Sequence, residues 1–92
     1  MKTPPPSCPL PTIHANGTGA QTLYNGYQDA RHRLLEAIRA FEAVEFNARD
    51  YYPQSPEAWT DARAERVAMA QKLGDVETYL IAHLVHIGDA MA

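Results

Sequence analysis

This sequence is short of most things that announce a function. It has one cysteine, Cys8, so no internal disulfide can form, and a reduced compartment is expected. It has no basic excess: the net charge is −3 and the pI about 5.7. Bulk nucleic acid and anionic membranes need a basic face, so neither is an expected partner. No run approaches the roughly 20 apolar residues of a membrane span. The opening MKTPPPSCPLP has one Lys and no apolar h-region, so it does not read as a signal peptide. A cytoplasmic setting is expected. No Ser–His–Asp or Cys–His pattern is legible, so the chain is expected to be a non-enzyme without cofactor or metal. His83 and His86 have ligand-like spacing, but Cys8 lies in the tail and Asp89 is exposed, so no third ligand converges. A seam His83 and a surface His86 are expected instead.

What is present is helical periodicity. With 92 residues the chain makes one domain near the lower size limit for folding alone. Residues 1–11 hold five prolines and read as a disordered or polyproline tail. Residues 12–92 form the folded part, opening on a short extended stretch with Ile13 turned inward. Thr18 and Gln21 fit a capping box that starts a helix near Gly19 or Ala20. From there Ala20, Leu23, Tyr27, Ala30, Leu34, Ala37, Phe41 and Val44 hold a heptad seam, with Leu35 and Ile38 widening it. That predicts a first helix of about 26 residues, roughly 39 Å long. Arg31, Arg33, Glu36, Arg39 and Glu42 read as its solvated face.

A second helix opens at SPEAW. Ser55 suits the N-cap, Pro56 the first helical position, and Glu57 the positive end of the dipole. The seam runs through Trp59, Ala62, Arg66, Met69, Leu73, Val76, Leu80, His83, Ile87 and Ala90. Its phase is unbroken at Gly74, which favours one helix from about 56 to 90 over a break capped by Asp75. Arg66 in the seam reads as a register-setting polar group, paired with Glu42 or Glu45. A second row, Val67, Ala70, Gly74, Ile81, Leu84 and Gly88, exceeds what one partner helix covers. Either another subunit packs there or both rows form one broad stripe. The expectation is an all-α antiparallel hairpin of two long helices, assembled into an oligomeric helical bundle.

The richest chemistry lies between the helices, in NARDYYPQ at 47–54. Asn47 suits the end of the first helix, and Asp50 a local turn. Tyr51 and Tyr52 are adjacent and should point different ways. Arg49, Arg63 and Arg66 with Tyr51, Tyr52 and Trp59 give one end of the hairpin guanidinium forks and flat faces, which suits a nucleotide. Glu45, Asp50, Glu57, Asp61 and Glu65 crowd the same end and could consume the arginines. A rigid plug for the bundle end is then the plainer reading, and a protein-partner surface a third. Asn16–Thr18 could cradle an anion at the opposite end or serve only in capping. There is no Lys in the phosphate-loop place. The two ends share a site only if a second subunit runs antiparallel.

TIHANGT at 12–18 and NARDYYPQ at 47–54, each followed by a helix, resemble a group of small phage and prophage proteins carrying N-G-T and N-x-R-D-Y-Y-P-Q elements. The likeness covers residues 12 to about 90 and leaves out the proline tail. Gly26 and Gly74 depart from the glycine-free helices expected of the group. No activity is established for the group. By analogy with small phage-encoded helical oligomers that trap nucleotide signals of bacterial defence, the resemblance implies counter-defence sequestration in the host cytoplasm. Under that analogy Arg49, Tyr51 and Tyr52 hold phosphate and base, with Asn16 and Thr18 from the other subunit; Asp50, Arg63 and Arg66, at the same end as the loop, complete the candidate ligand-binding set. The competing expectation is a phage structural or adaptor protein that binds a virion component or defence effector through the loop.

Overall fold

The computed structural model describes residues 8–92, so positions 1–7 of the expected proline tail lie outside the described residues. The chain is helical. α1 spans Ala20–Glu42, a three-residue 3-10 turn spans Ala48–Asp50, and α2 spans Pro56–Met91. Among the described residues there is no strand. The two helices pack antiparallel: Tyr24 lies near Gly88, Tyr27 stacks on His83, Arg31 pairs with Glu77, and Phe41 meets Arg66. No helix of the described chain is long and apolar enough to cross a membrane.

α2 starts as its sequence dictates. Ser55 is extended, and its Oγ accepts the Ala58 N–H at 3.0 Å, with Pro56 at the first helical position. The helix continues through Gly74 without a break. Thr78 Oγ1 donates to the Gly74 carbonyl at 3.1 Å, one turn back. The uninterrupted phase of the seam therefore outweighs the glycine penalty, about 1 kcal/mol against Ala.

α1 departs from its pattern at both ends. The expected capping box is not formed: Gly19 is the N-cap and makes no side-chain cap. Gln21 instead donates to Asn25 Oδ1 at 2.8 Å. The helix stops at Glu42 after 23 residues, short of Val44, which is 56% exposed. Arg66 caps that end. It does not pair with Glu42 or Glu45; its Nη2 donates to the Phe41 carbonyl at 2.9 Å and reaches that of Val44 at 3.5 Å. The Phe41 carbonyl also accepts the Val44 N–H at 3.2 Å, so Arg66 is its second donor.

Side-chain burial is sparse. Leu80, His83 and Ile87 are the buried residues of α2, and α1 contributes none. His83 sits between Tyr27 and Tyr79, ring centroids 4.6 and 4.2 Å away, with Nδ1–H donating to the Tyr79 carbonyl at 2.8 Å. The seam histidine is thus satisfied within the core, as expected. His86 is not a free surface residue: its Nε2–H donates to the Pro11 carbonyl at 2.7 Å. That bond ties the segment before α1 onto the C-terminal half of α2, where Ile13 is half-buried. Nearer the loop, Met69 and Val76 stay 44% and 48% exposed despite their seam positions. Gly88 packs toward Tyr24, so this part of the second row belongs to the hairpin's own interface.

Arg31, expected in solvent, instead crosses to α2. Its Nη2 meets Glu77 at 3.3 Å, while its Nε is buried without a hydrogen-bond partner. The radius of gyration is 18.4 Å and the extents are 61 × 25 × 21 Å. A compact chain of this length would have a radius near 12 Å.

Candidate functional site at the inter-helix end

Residues 43–55 form a folded cap over the first turns of α2 rather than a slack connection. Asn47 is extended and precedes the 3-10 turn, so it opens that turn instead of closing α1. Successive backbone bonds fix the path: Asp50 N–H to Asn47 O at 3.1 Å, Tyr51 to Ala48 at 2.9 Å, and Gln54 to Tyr51 at 3.0 Å. Asp50 makes no side-chain cap; its carboxylate is exposed. Asn47 Nδ2 donates to Glu45 Oε2 at 3.1 Å.

The two tyrosines diverge, as adjacent side chains on such a turn must. Tyr51 is half-buried against Phe46 and Trp59, with ring centroids 5.6 and 5.7 Å away. Phe46 and Trp59 stack at 4.9 Å, closing a three-ring cluster. Such pairs each add about 0.5–1.5 kcal/mol beyond their buried area. Tyr52 points outward and is 63% exposed. Phe46 is the hub that the sequence reading missed. It lies two residues past the last seam position, so periodicity gave no reason to select it. An aromatic immediately before the Asn of the motif was the available signal.

The arginines separate into two groups. Arg66 is consumed structurally, its guanidinium carbon 4.7 Å from both the Phe41 and Phe46 ring centres while its Nη2 caps α1. Arg63 is exposed and lies over the Trp59 ring at 5.8 Å. Arg49 is exposed on the 3-10 turn. Among the described residues neither Arg49 nor Arg63 forms an ion pair, although five carboxylates share that end. The ion pairs present lie on α1 and between α1 and Glu77: Arg31–Glu77, Arg33–Asp29, Arg33–Glu36 and His32–Glu36.

Thus Arg49, Asp50, Tyr51, Tyr52, Arg63 and Arg66 share one end of the hairpin. Three of them offer free chemistry to a ligand: the two unpaired guanidiniums and the Tyr52 face, with Trp59 already stacked under Arg63. Asn16 and Thr18 are exposed at the far end, before α1, and do not meet this group within one chain. Their turn is shaped by Gly17, whose N–H donates to the His14 carbonyl at 3.1 Å. A Cβ at Gly17 would lie 2.8 Å from the His14 ring, so a side chain there must push the imidazole aside. Among the described residues, no three His, Cys, Asp or Glu side chains gather as a metal-ligating group. No protein family, curated protein or solved structure matches this chain.

Proposed function

We propose that this chain is a non-catalytic binding protein that takes a small anionic ligand, best fitted by a nucleotide, at the inter-helix end. The observation that carries the reading is the unpaired state of Arg49 and Arg63 beside exposed aromatic surface. Guanidinium forks pair with phosphate, and flat rings accept a base without regard to its sequence identity. The hydrogen-bonded turn fixes the Arg49 backbone, so binding has only its side-chain rotamers to order. Assembly into a homo-oligomer belongs to the same proposal, because so few side chains are buried in one hairpin. The phage setting, with sequestration of a nucleotide immune signal in the host cytoplasm, rests on the resemblance of the N-G-T and N-x-R-D-Y-Y-P-Q elements.

A second reading has its own support. Val44 and Tyr52, 56% and 63% exposed, lie at this end with two arginines. Aromatic and Arg side chains in such company dominate protein–protein hot spots. An adaptor that grips a virion component or a defence effector would use that surface. Thermal unfolding against a panel of cyclic and linear nucleotides separates the two. A ligand at 100 times its Kd stabilises the folded state by about 2.7 kcal/mol. No shift with any nucleotide, together with capture of one host protein, favours the adaptor.

A further inference from the structure

α2 carries a further heptad row whose ends, Val67, Gln71 and Val85, the hairpin leaves exposed, and whose middle, Gly74, Thr78 and Ile81, is half-buried. Val67, Gln71, Gly74, Thr78, Ile81 and Val85 recur at alternating four- and three-residue spacings, the pattern of a helix–helix seam. Val67 and Val85 are 67% and 58% exposed, while Leu80, His83 and Ile87 of the same helix are closed off. Between Arg63 and Asp89 this face, with Ala70 and Ala82 at its margins, has no charge. Near its middle is Gly74, where an added Cβ would meet nothing within 4 Å. A glycine inside a helix costs about 1 kcal/mol against Ala, and nothing within the hairpin requires it there. Its use is to let another backbone come close.

The positions of the row are symmetric about Val76, with like residues at one pair and opposite charges at its ends. Val67 and Val85 stand nine residues to either side, Gln71 and Ile81 five, and Gly74 and Thr78 two. Thirteen residues out, Arg63 closes one end and Asp89 the other. Both are exposed, and neither makes an ion pair among the described residues. A copy turned end for end sets valine on valine, Gly74 on the partner's Thr78, Gln71 on the partner's Ile81, and Arg63 on the partner's Asp89. The geometry points to a second copy of this chain packed antiparallel on this face, with a twofold axis level with Val76. Self-complementarity of this kind is what an isologous contact demands. The ends of the face are complementary in charge to each other, and a hairpin with three buried side chains on α2 gains stability by covering more apolar surface. The other open apolar positions, Met69 and Val76, are flanked by Glu65, Lys72 and Asp75 and have no such symmetry.

The arrangement has a consequence for the binding site. α2 runs nearly the whole length of the hairpin, so an antiparallel copy brings its own start of α1 to this chain's loop end. The partner's Asn16 and the partner's Thr18 then stand level with Arg49 and Tyr52 along the axis, on the far side of the partner's α2. Arg63 is shared with the partner's Asp89, which leaves Arg49 as the principal free cation. This last step rests on the anion-binding reading; the helix pairing does not.

Cross-linking tests the pairing without any ligand. In a Cys8→Ser background, Val67→Cys with Val85→Cys treated with a short bismaleimide gives a covalent dimer at least tenfold above Val67→Cys alone. In the antiparallel pair the two copies of Val67 lie about 27 Å apart, from eighteen residues at about 1.5 Å each, too far for the single variant to link. A parallel pair instead links the single variant efficiently, and a monomer links neither; both results overturn the proposal. So does linkage confined to Val76→Cys. If the double variant loses its helical circular dichroism, Arg63→Cys with Asp89→Cys, at two exposed positions, makes the same comparison. Nucleotide-dependent unfolding shifts are read separately, so a dimer that links as expected but binds no nucleotide refutes only the ligand reading.

Discussion

The guanidinium of Arg66 lies 4.7 Å above the Phe41 ring and donates to the Phe41 carbonyl at 2.9 Å. One side chain of α2 therefore caps α1 and holds its last aromatic. A charge-assisted hydrogen bond of this kind contributes about 1.5–3 kcal/mol, and each cation–π contact about 0.5–1. Arg66→Ala is expected to lower unfolding free energy by about 2–3 kcal/mol in urea titration. Arg66→Lys should recover only part, because an ammonium cannot lie flat between two rings while reaching a carbonyl. A loss below about 0.5 kcal/mol for the alanine variant would show that the helix end is set elsewhere.

Arg49 carries the opposite expectation. It is exposed and unpaired among the described residues, so Arg49→Ala should leave urea stability within about 0.5 kcal/mol. The same change should abolish any nucleotide-dependent rise in melting temperature. Should the variant unfold at room temperature, its role is structural and the ligand reading loses its main cation.

Ser55→Ala removes the oxygen that accepts the Ala58 N–H. The expected loss is about 1 kcal/mol. Circular dichroism melts read it as a drop of several degrees, since about 1 kcal/mol shifts a chain of this size by roughly 4–8 °C. An unchanged melting point would mean that Pro56 alone starts the helix.

Gly26→Ala tests a position that nothing fills. The residue is exposed in mid-helix, and a Cβ there meets no atom within 4 Å. Stability should rise by about 0.5–1 kcal/mol. A fall would reveal a contact on that face of α1 that the single hairpin does not contain.

His86→Ala removes the donor to the Pro11 carbonyl. Amide exchange and protease cutting within residues 8–14 should increase severalfold, while protection in the middle of α2 changes little. Equal exposure before and after the substitution would show that the segment docks without that bond.

The helices were legible because their signals are local. Ser55 and Pro56 announce the start of α2, and the seam from Trp59 to Ala90 stays in phase across Gly74. The divergence of Tyr51 and Tyr52 follows from their adjacency. What escaped depends on distant residues. The end of α1 is capped by Arg66, which reaches back 25 residues to Phe41. His86 meets Pro11 across 75 residues, a pairing that no spacing rule encodes. The Thr18–Gln21 box failed although its pattern was right, because Gly19 took the cap and Gln21 bonded Asn25. At the inter-helix end the sequence placed the arginines together but did not show how they divide. Only geometry separates Arg66, spent on carbonyls and rings, from Arg49 and Arg63.

The two helices differ in length, 23 residues against 36. The surplus at the start of α2 is roofed by Phe46 and Tyr51 seated on Trp59, so the span between the helices is cut to the size of what it covers. Trimming it to a minimal reverse turn would strip Trp59 of its shelter; lengthening it would lift the rings away. In a lineage descended from this chain, gains and losses of residues should therefore spare positions 43–55, against the usual habit of connecting segments to vary first.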